Sequence, residues 1–296
     1  MEYAVEGIKL TKKYGREFAL EELDFVIEKN KIYGLLGRNG AGKTTLLNIL
    51  ATHSFQTLGI IKAFGEEPYE NSKILDKMCF VKEGGSYLAQ LKIKEILKIA
   101  SDFYSNWDNN FAEELLEQFN LVKKKRYSAL SKGMQSALGI VIGLASRAPL
   151  TIYDEPYLGL DAAARWLFYD ILLKDYIENP RTIILSTHLI DEVSKIFENI
   201  IILDKGKIIL AEEVDSLRNK AISLSGKTEL VEAAVKNKNI INYQQVGGTL
   251  IAAIYDVNTH EELCSWANDD IEIKPLSLQD FFIYITLDKK KQREVI

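Results

Sequence analysis

The stretch Lys31–Gly37, KIYGLLG, is a compact apolar run that ends in glycine, and AGKTTLLNILATH, which follows, carries leucines at helical spacing. Between them lies GRNGAGKTT, Gly37–Thr45. The order is strand, glycine-rich turn, helix. Later segments repeat the alternation. PLTIYDEP is followed by a helical AAARWLFYDILLKDYIE, the strand RTIILS (Arg181–Ser186), a helical LIDEVSKIFE and a hairpin NIIILDKGKIILAEE, whose turn falls at Asp204–Gly206. Strands that alternate with helices predict a largely parallel sheet covered on both faces, the α/β class. Ahead of them, YAVEGIKLTKKYG and LEELDFVIEKN read as short alternating strands.

Gly37–Thr45 fits the P-loop pattern, with Gly37 followed by Gly42-Lys43-Thr44. Glycines let the chain wrap closely around phosphate oxygens with backbone N–H groups pointing inward. The next helix adds its positive N-terminal end. The predicted phosphate-binding residues here are Gly37, Arg38, Asn39, Gly40, Ala41, Gly42, Lys43, Thr44 and Thr45. Lys43 would bridge the β- and γ-phosphates, and the Thr44 hydroxyl would coordinate Mg²⁺. A chance glycine-rich turn is the plainer alternative; the strand before it and the helix after it argue against that.

LTIYDEPYLGLD, Leu150–Asp161, sets two acids side by side, Asp154 and Glu155, at the end of an apolar run. Adjacent carboxylates repel, so a buried strand end is a costly place for them. A divalent metal and Lys43 nearby make the pair tolerable. Asp154 suits an Mg²⁺ ligand, and Glu155 suits a general base that polarises the attacking water. The alternative is a surface acid pair that starts a loop.

The chain has 296 residues, 47% hydrophobic and 27% charged, with a net charge of -5. That is an ordinary globular balance, and the negative charge argues against nucleic acid as the main partner. Cys79 and Cys264 form no CxxC pair, so neither a zinc site nor a disulfide framework is expected. The opening MEYAVEGIKLTKKYG is charged and lacks the apolar run of a leader. The longest apolar stretch, ALGIVIGLA (Ala137–Ala145), is too short to span a bilayer. Residues of about 86–146 carry helical periodicity and read as a helical insertion. Beyond about Arg218 the texture shifts to a small α+β unit, residues 221–296, with a hairpin turn at Gly247-Gly248, a helix from about Thr259 and a closing helix SLQDFFIYI. The basic DKKKQR near the end reads as a solvated tail.

Four further motifs complete a pattern. LSKGMQ (Leu130–Gln135) resembles the signature usually written LSGGQ, and LGLD (Leu158–Asp161) resembles a D-loop. STHLIDEV (Ser186–Val193) resembles a switch-histidine segment, with His188 just beyond a strand. Tyr14 stands about 29 residues before Lys43, where an aromatic that stacks on adenine is found. In order and spacing, residues 1–218 resemble the ATP-binding subunit of an ABC transporter of the bacterial exporter type. The resemblance implies a P-loop NTPase core with a helical subdomain over about 86–146, ATP as the nucleotide bound by residues 37–45, Mg²⁺ as cofactor, and hydrolysis served by Lys43, Glu155 and His188. It also implies two subunits paired head to tail around two ATP molecules. Ser131 and Gly133 would then contact the γ-phosphate across an interface that includes Lys132 and Asp161. A separate membrane permease would hold the pair at the cytoplasmic face and be driven by closure and reopening.

The pattern departs from the family in two places. Lys132 and Met134 replace one of the two glycines and the final glutamine of the signature, while Ser131 and Gly133 remain. Where the family has a glutamine that contacts Mg²⁺ and water, CFVKEGGSYLAQ offers Glu83, expected to sense the metal. FYSNWDNNFAEELLEQFNL looks like a stretch of ATPases that serve exporters of peptides, antibiotics or small metabolites. Its Phe103, Tyr104 and Trp107 read first as core packing and second as a dock for a cytoplasmic helix of the membrane subunit. His260 and Cys264 lie one helical turn apart but have no further ligands, so the C-terminal unit points to interaction, dimer support or regulation. An alternative function is a soluble ABC-type ATPase acting on ribosomes or DNA. The single P-loop, the absence of sustained heptads and the net negative charge argue against it.

Overall fold

The computed structural model describes residues 3–82, 87–255, 266 and 270–287. Glu83, His260, Cys264, the helix expected from Thr259 and the DKKKQR tail lie outside the described residues. The chain divides into two compact units, residues 1–211 and 212–296.

In the first unit, β1 (Tyr3–Tyr14), β2 (Glu17–Glu28) and β4 (Leu58–Ala63) form an antiparallel sheet in the order β2-β1-β4. A six-stranded sheet runs β5 (Met78–Val81), β6 (Leu150–Asp154), β7 (Thr182–Thr187), β3 (Ile32–Gly37), β8 (Asn199–Asp204), β9 (Lys207–Glu213). Its pairs from β5 through β8 are parallel. Every residue of β3, β6 and β7 is buried, as a parallel sheet covered on both faces requires. The turn from β8 to β9 places Lys205 at φ 47° and Gly206 at φ 79°, two consecutive left-handed residues that fit the twist of a tight hairpin.

Helix α1 (Lys43–Leu50) buries Leu46, Leu47, Ile49 and Leu50 in one core with Leu10, Leu20 and Leu23 of the antiparallel sheet and Leu35, Ile152, Ile184 and Ile201 of the parallel one. Each such side chain contributes about 1.5–3 kcal/mol by leaving water, so this core fixes the helix that follows the glycine-rich turn. The helical block comprises α3 (Ile93–Phe103), α4 (Asn109–Gln118) and α5 (Lys132–Ala145), after the short α2 (Ser72–Leu75). Residues 136–145 of α5 are all buried, and a helix enclosed on every side belongs in an interior. It packs against β5, β6, α3, α4 and α6 (Ala162–Glu178). Arg147, just past α5, lies 3.2 Å from Asp108 at the start of α4 and 3.3 Å from Asp175 of α6. Asp175 also pairs with buried Arg181 at 2.7 Å. Helix α7 covers only Ile190–Val193, shorter than the helical stretch expected through Glu198.

The second unit holds the antiparallel sheet β11 (Ile240–Val246), β12 (Thr249–Tyr255), β10 (Ala221–Lys227), β13 (Ile271–Pro275), in that order. α9 (Thr228–Ala234) closes its own core of Leu224, Val231, Leu250, Ala252 and Ile254, and α10 (Leu278–Thr286) ends the described chain. The expected hairpin at Gly247-Gly248 joins β11 to β12. α8 (Val214–Lys220) buries Val214 and Leu217 and packs on β10. That packing places the division at 211/212, ahead of the boundary expected near 218.

Candidate active site

The order β6-β7-β3 brings three carboxyl strand ends together: Asp154 on β6, Thr187 on β7 and Gly37 on β3. Ligands of parallel α/β sheets gather at such ends. Gly40 at φ 81° and Gly42 at φ 110° turn the chain from β3 into α1. A Cβ on Gly42 would sit 2.6 Å from the Ala19 carbonyl oxygen, so close backbone approach demands glycine there as well as its φ. No side chain caps the first turn of α1 and no acidic residue lies in it. Its first N–H groups have no intrahelical partner and favour an anion.

Residues 38–45, with Ala19, Glu155, Leu158 and His188, line a cavity of about 470 Å³. Lys43 is buried at its edge, its Nζ donating to the Gly37 carbonyl at 2.7 Å and lying 3.6 Å from Glu155 Oε1. Asp154 is 1% exposed and accepts from Ser186 Oγ at 2.6 Å. Ser186 Oγ in turn accepts from the Glu155 N–H at 3.1 Å. Glu155 sits at φ 46°, a left-handed conformation rare for a glutamate and of the kind held at working sites. Its Oε2 lies 3.0 Å from His188 Nδ1. Lys43, Asp154, Glu155 and His188 are therefore brought together. Thr44 is exposed at the start of α1, and Tyr14, 57% exposed, stands at the end of β1 with Lys12 Nζ 5.0 Å from its ring centre.

The sequence did not single out Ser186, Thr187 or Tyr157. The Tyr157 hydroxyl accepts from Thr187 Oγ1 and from the His188 N–H, each at 3.0 Å. Burial pushes its pKa up to about 12 against the hydrogen bonds that lower it. The two serine and threonine positions fell inside the switch-histidine segment, so their place was readable; the tyrosine carried no signal beyond following Pro156.

The signature residues lie elsewhere. Ser131 caps α5, its Oγ accepting from the Met134 N–H at 3.3 Å. Asp161 caps α6, its Oδ1 accepting from the Ala164 N–H at 2.8 Å. A Cβ on Gly133 would meet the Gly159 carbonyl oxygen at 2.4 Å, and Ser136 Oγ donates to the Leu158 carbonyl at 2.6 Å, so signature and 158–161 turn are locked together. Ser131, Gly133 and Asp161 line a second cavity of about 430 Å³, distinct from that of the P-loop, and Lys132 is exposed beside it.

A family profile for the ABC transporter matches residues 20–158, from β2 through the P-loop and signature to the acid pair. The bacitracin transport ATP-binding protein BcrA of Enterococcus faecalis is 33% identical over 223 residues, which cover 74% of this chain and 72% of that one. The chain belongs to the ABC transporter ATP-binding proteins. The ABC transporter ATP-binding protein YtrB of Bacillus subtilis is 26% identical over 244 residues, covering 82% of this chain and 84% of that one. A solved ATP-binding subunit of an ABC transporter superposes with a TM-score of 0.66 at 25% identity, covering 73% of this chain and 92% of that one. This ABC subunit is thus an ATP-binding, ATP-hydrolysing protein on a P-loop α/β core. Among the described residues no helix is long and apolar enough to cross a membrane.

Proposed function

We propose that this subunit hydrolyses ATP in pairs, two chains sandwiching two nucleotides, and thereby powers export of a peptide, antibiotic or small metabolite through a separate membrane permease at the cytoplasmic face. The observation that carries the hydrolytic reading is the single cavity on which the P-loop, Lys43, Glu155 and His188 converge. Backbone N–H groups of residues 38–45 bind the phosphates, with Lys43 on the β- and γ-phosphates and Tyr14 stacked on the adenine. Glu155 takes the proton of the attacking water; a bond forms from that oxygen to the γ-phosphorus as the bond to the ADP oxygen breaks. His188 steadies the γ-phosphate.

Mg²⁺ fits this site: Thr44 offers an exposed hydroxyl and Asp154 a buried carboxylate. Nucleotide-bound Mg²⁺ needs only one or two protein ligands beside phosphates and water, so the lack of a three-residue cluster among the described residues is no obstacle. When bound it would neutralise charge on the phosphates. Pairing is supported by the second cavity, where Ser131 and Gly133 at the start of α5 stand apart from the chain's own P-loop. A second chain would bring them to the γ-phosphate, with Lys132 and Asp161 in the interface. The cargo class is supported by the relative named for bacitracin transport. Phe103, 71% exposed on α3, supports a docking face for a permease helix.

Light scattering on purified Glu155→Gln tests pairing. Removing the base should trap ATP, so Mg-ATP should convert monomer to dimer. A protein that binds ATP yet stays monomeric would sink self-pairing.

A further inference from the structure

Tyr157 is 1% exposed and meets His188 edge to face, ring centres 5.7 Å apart. Three groups surround its hydroxyl: the His188 N–H and Thr187 Oγ1, both donating at 3.0 Å, and His188 Nδ1 at 3.2 Å. A phenol has one proton and two lone pairs. The backbone N–H can only donate, so it takes one lone pair. The Thr187 hydroxyl, which itself accepts from the Leu189 N–H at 2.9 Å, takes the other. The phenolic proton is then left with His188 Nδ1. That proton is retained at neutral pH, because burial holds Tyr157 at about 12.

Glu155 Oε2 lies 3.0 Å from the same Nδ1. A carboxylate only accepts, so it would bind Nδ1 only if Nδ1 carried the proton. Tyr157 and Glu155 therefore ask for opposite tautomers of one ring. We propose that Tyr157 is a positioning residue that holds neutral His188 as its Nε2–H tautomer, with Nδ1 an acceptor. Two consequences follow for the hydrolytic reading, on which this proposal rests. Glu155 keeps its lone pairs for the water proton instead of accepting from the imidazole. The ring's N–H sits on Nε2, away from Nδ1, and is the donor offered to phosphate. In other enzymes the wrong histidine tautomer with intact geometry is enough to cripple catalysis.

The chain has three histidines, so ¹⁵N-histidine spectra can be assigned by comparison with His188→Ala. The spectrum is taken about 1.5 pH units above the ordinary imidazole value of about 6.5. Wild-type His188 should show a protonated Nε2 and a pyridine-type Nδ1. Tyr157→Phe should shift it toward Nδ1–H. Its kcat should fall roughly tenfold with KM for Mg-ATP held within about twofold. In a His188→Ala background the same change should cost nothing further. A wild-type Nδ1–H signal, or a tautomer unmoved in Tyr157→Phe, overturns the proposal. The wild-type Nδ1–H signal would overturn it even if Tyr157→Phe folds poorly. The spectrum needs no turnover either, so a Glu155→Gln variant that still hydrolyses ATP would sink Glu155 as the base while leaving the tautomer assignment standing.

Discussion

Ser186 shows how one hydroxyl can order two acids. It is fully buried, donates to Asp154 and accepts from the Glu155 N–H. Glu155 needs that anchor because its left-handed backbone is unfavourable on its own. Ser186→Ala would leave a buried carboxylate oxygen and a backbone N–H without their partner, a loss of about 1–3 kcal/mol. Urea unfolding should register that loss, and kcat should drop more than ATP affinity, because Lys43 and the P-loop glycines are untouched. Equal losses in kcat and affinity would mean that Ser186 supports the whole P-loop rather than the acid pair. Sequence alone could place the two acids at a strand end and guess their roles. It could not assign Ser186 to them, because the pairing of β6 with β7 that sets Asp154 opposite Ser186 is made between distant segments.

Helix α5 carries glycines inside a buried helix, normally an unfavourable place for them. Gly139 faces β5 and Gly143 faces both β5 and β6, where the helix lies close to the sheet. A Cβ on Gly143 would meet Tyr153 Cε1 at 2.6 Å and Val81 Cγ2 at 2.7 Å, whereas one on Gly139 would meet only Val81 Cγ1, at 3.0 Å. Alanine gains about 1 kcal/mol of helix propensity at either position. Overpacking a core costs about 1–3 kcal/mol, so at Gly143, where two neighbours obstruct, the cost wins. Gly143→Ala should lower the urea midpoint, and Gly139→Ala should leave it nearly unchanged; equal midpoints would show that α5 can slide off the sheet. The same elements mark how far the sequence was legible. The P-loop strand and helix, α5 and α6 were legible as apolar-rich runs of strand or helix length. β5 did not: four residues gain strand identity only by lying parallel to β6. β4 was missed because Leu58, Gly59 and Ile60 are exposed, and its place is set by pairing with β1. α7 stops after four residues, where local periodicity promised more.

The chain is two units with separate cores, and the P-loop cavity is lined wholly from the first, so on the proposed site the second can be loosened while ATP binding survives. Glu212 is the place to do it. Its carboxylate accepts from Ser216 at 2.9 Å and Tyr255 at 3.0 Å and pairs with Lys220, all within the second unit. Burial works to raise its pKa, but the hydrogen bonds from Lys220, Ser216 and Tyr255 together hold it below the ordinary 4.5. A carboxylate depressed in the folded state adds stability that is complete above its unfolded pKa and is lost as pH falls through the folded one. The difference in melting temperature between wild type and Glu212→Gln should therefore be constant near neutrality and shrink only below about pH 4.5. Trp266 packs on the core of the second unit and can report its melting once Trp107 and Trp166 are replaced by phenylalanine. Mg-ATP binding by Glu212→Gln should match wild type throughout the neutral range. A difference that persists undiminished to about pH 3 would show that Glu212 holds the second unit by shape rather than by charge. A loss of ATP affinity at neutral pH would show instead that the second unit's integrity reaches the nucleotide site.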